Sequence, residues 1–366
     1  MKTAVLLFLY AALAFTAATF TRFIGGSGFV AQMVAFAAPT LFVATIFATF
    51  RWQSAALHGL TRLVAVAMGF FNFAFLAALL CWPAAWLSAA WFPVDRKVIG
   101  LVMAGGAAAV GIYGLINAAR LRVTHYTIRL PNLPDPWRGS DVALVTDVHV
   151  GAIWGAARVR RIVALLQRLQ PRAVFVSGDM FDGPKIDIAA AVAPWAECRV
   201  PAGTYFVAGN HDEFRDPAPY LAALTAVGVR VLNNEKVIID DLQLIGIHDS
   251  YTHHPAAYQE VLSRARINPA APSILMSHRP ALMEIPEAAG VSLQLAGHTH
   301  NGQFPIWTWI VRALYGRYAY GAHRIGGLQL VTSSGASTGG PPFRVGTRSE
   351  IVLIRLEHGA DEAVRV

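Results

Sequence analysis

Four long stretches without a charged residue occupy the first third of the chain. They cover residues 3–21, 23–50, 63–94 and 98–119 and are rich in Ala, Leu, Phe, Val and Gly. A helix of about 20 residues crosses a hydrocarbon core roughly 30 Å thick. The sequence therefore predicts an all-α transmembrane region in residues 1–122, with helices at 3–21, 27–50, 63–92 and 98–119.

The distribution of charge separates this region from the rest of the chain. The whole sequence has 30 basic and 22 acidic residues, a formal net charge of +8. Residues 1–122 hold eight basic residues and one acidic residue, Asp95, whereas residues 123–366 are almost balanced, with 22 basic and 21 acidic residues. The basic excess thus belongs to the apolar region, where it reports membrane orientation. We expect membrane lipids as partners and no nucleic acid.

The basic residues of the short loops predict the orientation. If all four stretches span, Arg22, Arg96 and Lys97 fall on one side, and six basic residues fall on the other: Lys2, Arg51, Arg62, Arg120, Arg122 and Arg129. The positive-inside rule then predicts a multi-pass inner-membrane protein with its C-terminal domain in the cytoplasm. An alternative makes Lys2 and residues 4–18 a cleaved signal peptide, which leaves three spans and places the domain outside.

After Ala119 the composition changes. Prolines at 131, 134 and 136 predict an extended connector over residues 123–140. From residue 141 to 358, short buried runs alternate with helical stretches, which indicates one α/β domain. The predicted strands are 142–146, 173–177, 205–208, 244–247, 273–277 and 292–296, and the predicted helices are 156–170, 186–198, 217–227, 255–265 and 280–289.

Asp, His and Asn side chains follow five of these strands. The blocks are Asp147-Val148-His149, Gly178-Asp179-Met180-Phe181-Asp182, Gly209-Asn210-His211-Asp212, His278, and Gly297-His298-Thr299-His300. The carboxyl ends of strands in an α/β sheet share one edge, so we expect these side chains to meet. Oxygen and imidazole donors without a thiolate suit divalent metals, and the number of donors exceeds what one ion needs.

In this order the blocks resemble the calcineurin-like metallophosphoesterases. The later run from Gly335-Ala336-Ser337 to Pro341-Pro342-Phe343-Arg344 resembles the membrane-associated bacterial branch of that family. The resemblance covers about residues 140–356. It implies an α/β fold of four layers, an αββα sandwich with two mixed sheets back to back.

The resemblance also implies a role for each block. One divalent ion would be held by Asp147, His149 and His300, a second by Asn210, His278 and His298, and Asp179 would bridge the two. A hydroxide shared by the ions (Mn, Fe or Zn) would attack the phosphorus of a phosphoester. His211 would be the catalytic residue that protonates or stabilises the leaving oxygen, and Asp182 would orient it.

Other positions admit two interpretations each. His248 follows a strand and Arg344 follows a Gly/Pro-rich loop, so both are candidate substrate contacts; a surface ion pair is the alternative for Arg344. For Asp212 a solvated or helix-start role and a role in the site are equally open. The aromatic residues 304–320 predict either a buried hairpin or helix, or a lip beside the metal site that contacts the bilayer or an acyl chain.

These observations predict a membrane-anchored, metal-dependent phosphoric ester hydrolase. Four helices favour a phosphodiester substrate that is lipid-linked. Two alternatives stay open: a broad nucleotide or cell-envelope phosphodiesterase with an extracytoplasmic domain, and a non-catalytic membrane sensor or scaffold that retains the hydrolase fold. The second is disfavoured because all seven predicted ligands are present.

Overall fold

A computed structural model describes residues 2–25, 58–182, 186–213, 216–359 and 364–365, with scattered residues between 33 and 45. The chain divides into two compact units. The helical unit comprises Met1–Asn117 together with Gly340–Phe343, and the α/β unit comprises Ala118–Gly339 and Arg344–Val366.

Three long apolar helices dominate the described part of the helical unit. They are Lys2–Phe20, which a π-helical turn at Thr21–Gly25 extends, His58–Trp91 and Arg96–Ala119. Among the described residues, three segments are long and apolar enough to cross a membrane: Leu7–Gly25, His58–Trp91 and Arg96–Ala119. They overlap the predicted helices 3–21, 63–92 and 98–119. The predicted helix at 27–50 lies largely outside the described residues.

Small and aromatic side chains pack the helical unit. A Cβ atom added to Gly111 would lie 2.4 Å from the ring of Phe70, so the glycine permits this close approach. The ring of Phe343, in the C-terminal segment that belongs to this unit, lies 5.3 Å from that of Phe70, edge to face. Trp82 donates its indole N–H to Thr19 Oγ1 at 3.2 Å.

The α/β unit contains two mixed sheets, whose strands are numbered along the chain. The strands are β1 Leu121–Leu130, β2 Ser140–Val145, β3 Val150–Gly151, β4 Ala173–Ser177, β5 Phe181–Asp182, β6 Thr204–Val207, β7 Val229–Val231, β8 Glu235–Ile239, β9 Leu242–Ile247, β10 Ser273–Ser277, β11 Leu293–Ala296, β12 Gly321–Ile325, β13 Leu328–Thr332, β14 Ser349–His358 and β15 Val364–Arg365. One sheet has the order β15-β1-β14-β2-β4-β6-β7, the other β12-β13-β11-β10-β9-β8, and β3 pairs with β5. The α-helices of this unit are Ala156–Leu169, Ile188–Val192, Ala218–Ala226, Pro255–Ala265, Glu284–Ala288 and Trp307–Tyr315.

Three apolar clusters show how the layers stack. The first fills the space between the sheets, where Leu144 and Phe175 of one sheet meet Met276 and Leu295 of the other. The second covers the outer face of the seven-stranded sheet with helix Ala156–Leu169, and the third packs helix Pro255–Ala265 on the other sheet. Strands buried on both faces explain the continuous apolar runs in the sequence. The predicted four-layer αββα sandwich is confirmed.

The structure differs from the sequence prediction for residues 123–130, the first part of the predicted connector. They were expected to form a connector, but β1, Leu121–Leu130, is a ten-residue strand inside the larger sheet. It pairs in parallel with β14, Leu121 opposite Ser349 and Leu130 opposite His358. The pairing joins segments more than 200 residues apart, and the alternation of half-exposed and buried side chains along β1 reflects its position in the sheet.

Candidate metal centre

The predicted ligands follow the carboxyl ends of strands in the two sheets. The strands β2, β4 and β6 are parallel neighbours, so their carboxyl ends lie at the same edge of the seven-stranded sheet, and β10 and β11 are parallel in the other sheet. Each of these five strands ends within two residues of a predicted ligand block. The ligands therefore come from loops that leave a rigid, buried framework.

Two groups of donors form at these loops. Asp147 Oδ1 lies 3.2 Å from His300 Nε2 and 3.8 Å from His149 Nε2. In the second group, His278 Nε2 lies 3.2 Å from Asp179 Oδ2, and the rings of His278 and His298 are 5.1 Å apart. Within each group the donor atoms lie within 4.8 Å of one another, close enough to hold a metal ion.

Asp179 connects the two groups. Its Oδ2 lies 3.7 Å from His149 Nε2 and 3.2 Å from His278 Nε2. Its Oδ1 accepts a hydrogen bond of 2.9 Å from the backbone N–H of His211, directly after Asn210. One carboxylate thus stands between the imidazoles of the two groups.

Buried donor atoms without hydrogen bonds are a second observation that fits the binding of divalent cations. Within the part of the chain that the structure describes, Asp147 Oδ1, Asn210 Oδ1 and His278 Nε2 are buried and make no hydrogen bond. A buried polar atom that makes no hydrogen bond costs about 1–3 kcal/mol, so three such atoms at one site indicate a position where a cation could bind. Oxygen and imidazole donors suit Mn, Fe or Zn.

A histidine–carboxylate pair lies beside the donors. His211 Nδ1 is 3.0 Å from Asp182 Oδ1, and the ring of His211 meets that of His149 edge-on at 4.7 Å. Burial would raise the pKa of Asp182, but its hydrogen bond to His211 and the nearby charge of His149 lower it. An ionised Asp182 holds the Nδ1 proton of His211 and so fixes the tautomer and the direction of the ring.

Comparison with known proteins assigns this arrangement to a family. Residues 140–302 match the family model described as calcineurin-like phosphoesterase. The chain carries a calcineurin-like metallophosphoesterase domain.

The proteins similar to this chain include one whose name describes it as a transmembrane protein. The chain is 30% identical over 281 residues, 72% of its length, to a transmembrane protein with metallophosphoesterase domain from Danio rerio. It is 29% identical over 219 residues to an uncharacterized metallophosphoesterase from Helicobacter pylori. The chain spans 63% and 59% of the length of these two relatives. A solved dimetal phosphatase from Danio rerio aligns with 63% of the chain at 13% identity and a TM-score of 0.41.

Several residues of the candidate metal centre have a strained backbone. Five predicted ligands adopt positive φ angles between 49° and 67°: Asp147, His149, Asp179, His298 and His300. A left-handed backbone is uncommon for residues other than glycine and costs free energy unless the surroundings enforce it. The fold thus holds these side chains in a geometry that the local sequence would not choose.

The four histidines of the two donor groups differ in the direction of their pKa shifts. Burial by itself would lower the pKa of His149, but the carboxylates of Asp147 and Asp179 raise it to about 9. The same competition raises the pKa of His278 to about 10. Burial, with the charge on His278, lowers the pKa of His298 to about 2, and burial lowers that of His300 to about 3.

Asp212 lies inside the site, which decides between the two interpretations left open by the sequence. It is 3% exposed, which excludes a solvated role, and its carboxylate accepts three backbone N–H groups. Oδ2 accepts from Asp179 at 2.7 Å and from Gly209 at 2.8 Å, and Oδ1 accepts from Phe181 at 2.9 Å. Burial and the charge of Asp179 raise the pKa of Asp212 to about 7, against the N–H donors of Gly209 and Phe181. Asp212 ties together the two loops that carry Asp179 and Asn210.

The two candidate substrate contacts, Arg344 and His248, are both buried and pair with other groups of the protein. Arg344 was expected at a substrate phosphate or in a surface ion pair, but it is fully buried and donates to the backbone carbonyls of His300, Ser334 and Ser337. It therefore supports the backbone of a ligand loop. His248 is 8% exposed, and its Nδ1 lies 3.4 Å from Glu213 Oε1. No local signal in the sequence distinguishes these buried positions from exposed ones.

The aromatic segment 304–320 is largely a helix on the surface of the α/β unit. Phe304 is buried, whereas none of the nine residues of helix Trp307–Tyr315, all of which the structure describes, is buried. The ring of Tyr315 lies 5.9 Å from that of His298, edge to face. The alternative of a buried hairpin or helix is wrong for these nine residues.

Proposed function

We propose that the protein is a membrane-anchored metallophosphoesterase with two divalent ions, which hydrolyses a phosphoester bond. The observation that carries the proposal is Asp179, whose carboxylate stands between two groups of buried donors. We assign Asp147, His149 and His300 to one ion and Asn210, His278 and His298 to the other, with Asp179 shared. The three buried donor atoms without hydrogen bonds support the assignment.

The chain's own residues supply the rest of the chemistry. Bound divalent ions would lower the pKa of water and offset the charge of the phosphoryl group. His211, held by Asp182 through Nδ1, presents Nε2 as the atom that protonates the leaving oxygen. Asp212 and Arg344 stabilise the ligand loops through hydrogen bonds to their backbone.

The membrane region supports the choice of substrate and location. The candidate span ends at Ala119 and β1 begins at Leu121, so no linker separates the hydrolase unit from the membrane anchor. An enzyme held in this way is suited to a substrate that resides in the membrane, and we propose a lipid-linked phosphodiester. The larger number of basic residues at positions 51, 62 and 120–129 supports a multi-pass inner-membrane location with a cytoplasmic catalytic unit.

Hydrolysis of bis-p-nitrophenyl phosphate and p-nitrophenyl phosphate by the detergent-purified, Mn²⁺-loaded protein tests the activity. We expect faster turnover of the diester, and a loss of at least about 100-fold in Asp179→Ala together with its bound metal. Asp216→Ala, which changes an exposed carboxylate in the same unit, is the control. A wild-type protein that binds no metal and hydrolyses neither compound would instead be a scaffold.

A reporter fused to the C-terminus tests the orientation. A fluorescent protein that folds only in the cytoplasm should be bright, and a phosphatase that matures only outside it should be inactive. The opposite pattern would place the catalytic unit on the extracytoplasmic side and favour a cell-envelope substrate.

A further inference from the structure

Helix Trp307–Tyr315, called here the aromatic helix, exposes large apolar side chains. Trp307 is 53% exposed, Trp309 63% and Leu314 73%. Contiguous exposed aromatic and aliphatic side chains on one short helix are unusual for a surface that faces only water. Tryptophan gains most where an apolar medium and a polar one meet, as at a membrane surface.

The aromatic helix is attached firmly to the metal centre. It follows the block that contains His298 and His300, and a Cβ atom on Gly302 would lie 2.3 Å from Thr308 Cα, so the chain is tightly folded at the start of the helix. At its other end the ring of Tyr315 contacts that of His298 at 5.9 Å. The exposed face therefore has a defined position relative to the metal ligands.

The sequence on both sides of the aromatic helix carries only positive charge. Residues 288–349 contain five arginines and no Asp or Glu. Arg312, on the helix, and Arg317, just after it, are exposed. Exposed arginine beside tryptophan and leucine matches the composition of helices that lie in the headgroup region of anionic membranes.

The chain brings the α/β unit to such a surface. Only Arg120 separates the end of the candidate span, Ala119, from the first residue of β1. Since consecutive Cα atoms are about 3.8 Å apart, Leu121 lies within about 8 Å of the end of the candidate span.

We propose that the aromatic helix is an interfacial membrane helix: Trp307, Trp309 and Leu314 enter the headgroup boundary of the leaflet, and the nearby arginines contact lipid phosphates. The metal centre, fixed to this helix through His298, then meets the phosphoester of an amphiphile whose apolar part stays in the leaflet. This second statement rests on the proposed hydrolase function, whereas membrane contact by the helix does not.

A fluorescent label at position 314 tests the contact. The full-length protein, with Cys81→Ala and Cys198→Ala, is labelled at Leu314→Cys and placed in nanodiscs that contain phosphatidylglycerol and spin-labelled lipid. Ile238→Cys is the matched control, because Ile238 is 58% exposed on a strand of the same unit. We expect quenching at position 314 to exceed that at position 238 by about threefold, since an interfacial helix places this side chain among the acyl chains. Equal quenching at the two positions would overturn the proposal.

A second measurement concerns the substrate. In proteoliposomes, Trp307→Ser/Trp309→Ser should lower the ratio of lipid phosphodiester turnover to bis-p-nitrophenyl phosphate turnover by about tenfold, and Ile238→Ser should leave the ratio unchanged. An unchanged ratio in the double variant would overturn the role of the helix in substrate access. If the wild type hydrolyses neither substrate, the hydrolase function fails, and the quenching result still decides membrane contact.

Discussion

Replacing Asp212 by Asn tests whether this carboxylate holds the metal site together. The amide oxygen can take the place of Oδ2 and keep the N–H groups of Asp179 and Gly209, at 2.7 and 2.8 Å. The amide NH₂ then faces the N–H of Phe181, which now donates to Oδ1 at 2.9 Å. One hydrogen bond is lost and two donors oppose each other in a buried place, so we expect the free energy of unfolding to fall by about 2–4 kcal/mol.

The same change should weaken metal binding. The loops that carry Asp179 and Asn210 lose a shared anchor, and the loss of a residue that positions metal ligands typically costs about 10–100-fold in affinity. Chemical denaturation of the detergent-solubilised protein and metal analysis after dialysis measure the two effects. Asp187→Asn is the control, because Asp187 is an exposed carboxylate that accepts a single N–H, from Ala190, and Asn keeps that oxygen. A stability within about 0.5 kcal/mol of the wild type, together with full metal content, would refute the reasoning.

Three further changes have defined outcomes. Gly339→Ala places a Cβ atom 3.1 Å from His300 Nε2, so bound metal and diesterase activity should fall at least about tenfold while the thermal midpoint stays unchanged; a fully active variant would contradict this. Arg344→Met removes buried donors to three carbonyls and should lower the free energy of unfolding by about 3 kcal/mol, seen by denaturant titration; an unshifted midpoint would contradict it. Burial raises the pKa of Tyr258 above the unfolded value of about 10, so its contribution to stability is complete below that pH and declines above it by up to about 1.4 kcal/mol per unit. Tyr258→Phe should reduce this alkaline loss, and an identical pH profile would contradict the assignment.

The sequence predicted an element correctly where its local residue pattern agrees with its position in the folded structure. The strands at 173–177 and 273–277 are present with the predicted bounds, because a short apolar run between a helix and a polar block has few other solutions in an α/β domain. The five ligand blocks likewise stand directly after strands, and parallel strands bring their carboxyl ends together.

Prediction failed where the deciding partner is distant in sequence. The strand β1 contains arginine, threonine and histidine and precedes three prolines, so its composition does not indicate a sheet interior; pairing with β14, at the other end of the chain, makes it one. Asp212 and Arg344 carry charges and follow loops, which locally predicts exposure, and both are buried.

The sequence by itself determined the inventory of this protein: apolar helices long enough to cross a membrane, and seven oxygen and imidazole donors after the strands of an α/β domain. Spacing and composition suffice for these because hydrophobic length and residue chemistry are local properties. Only the tertiary structure decided that Asp179 stands between two donor groups and that Asp212 accepts N–H groups from two loops. It also left the aromatic helix exposed beside His298. The burial of a side chain and its distance from another depend on which segments, distant in sequence, pack against each other. The free energy of that packing depends on the whole fold and cannot be read from the local sequence.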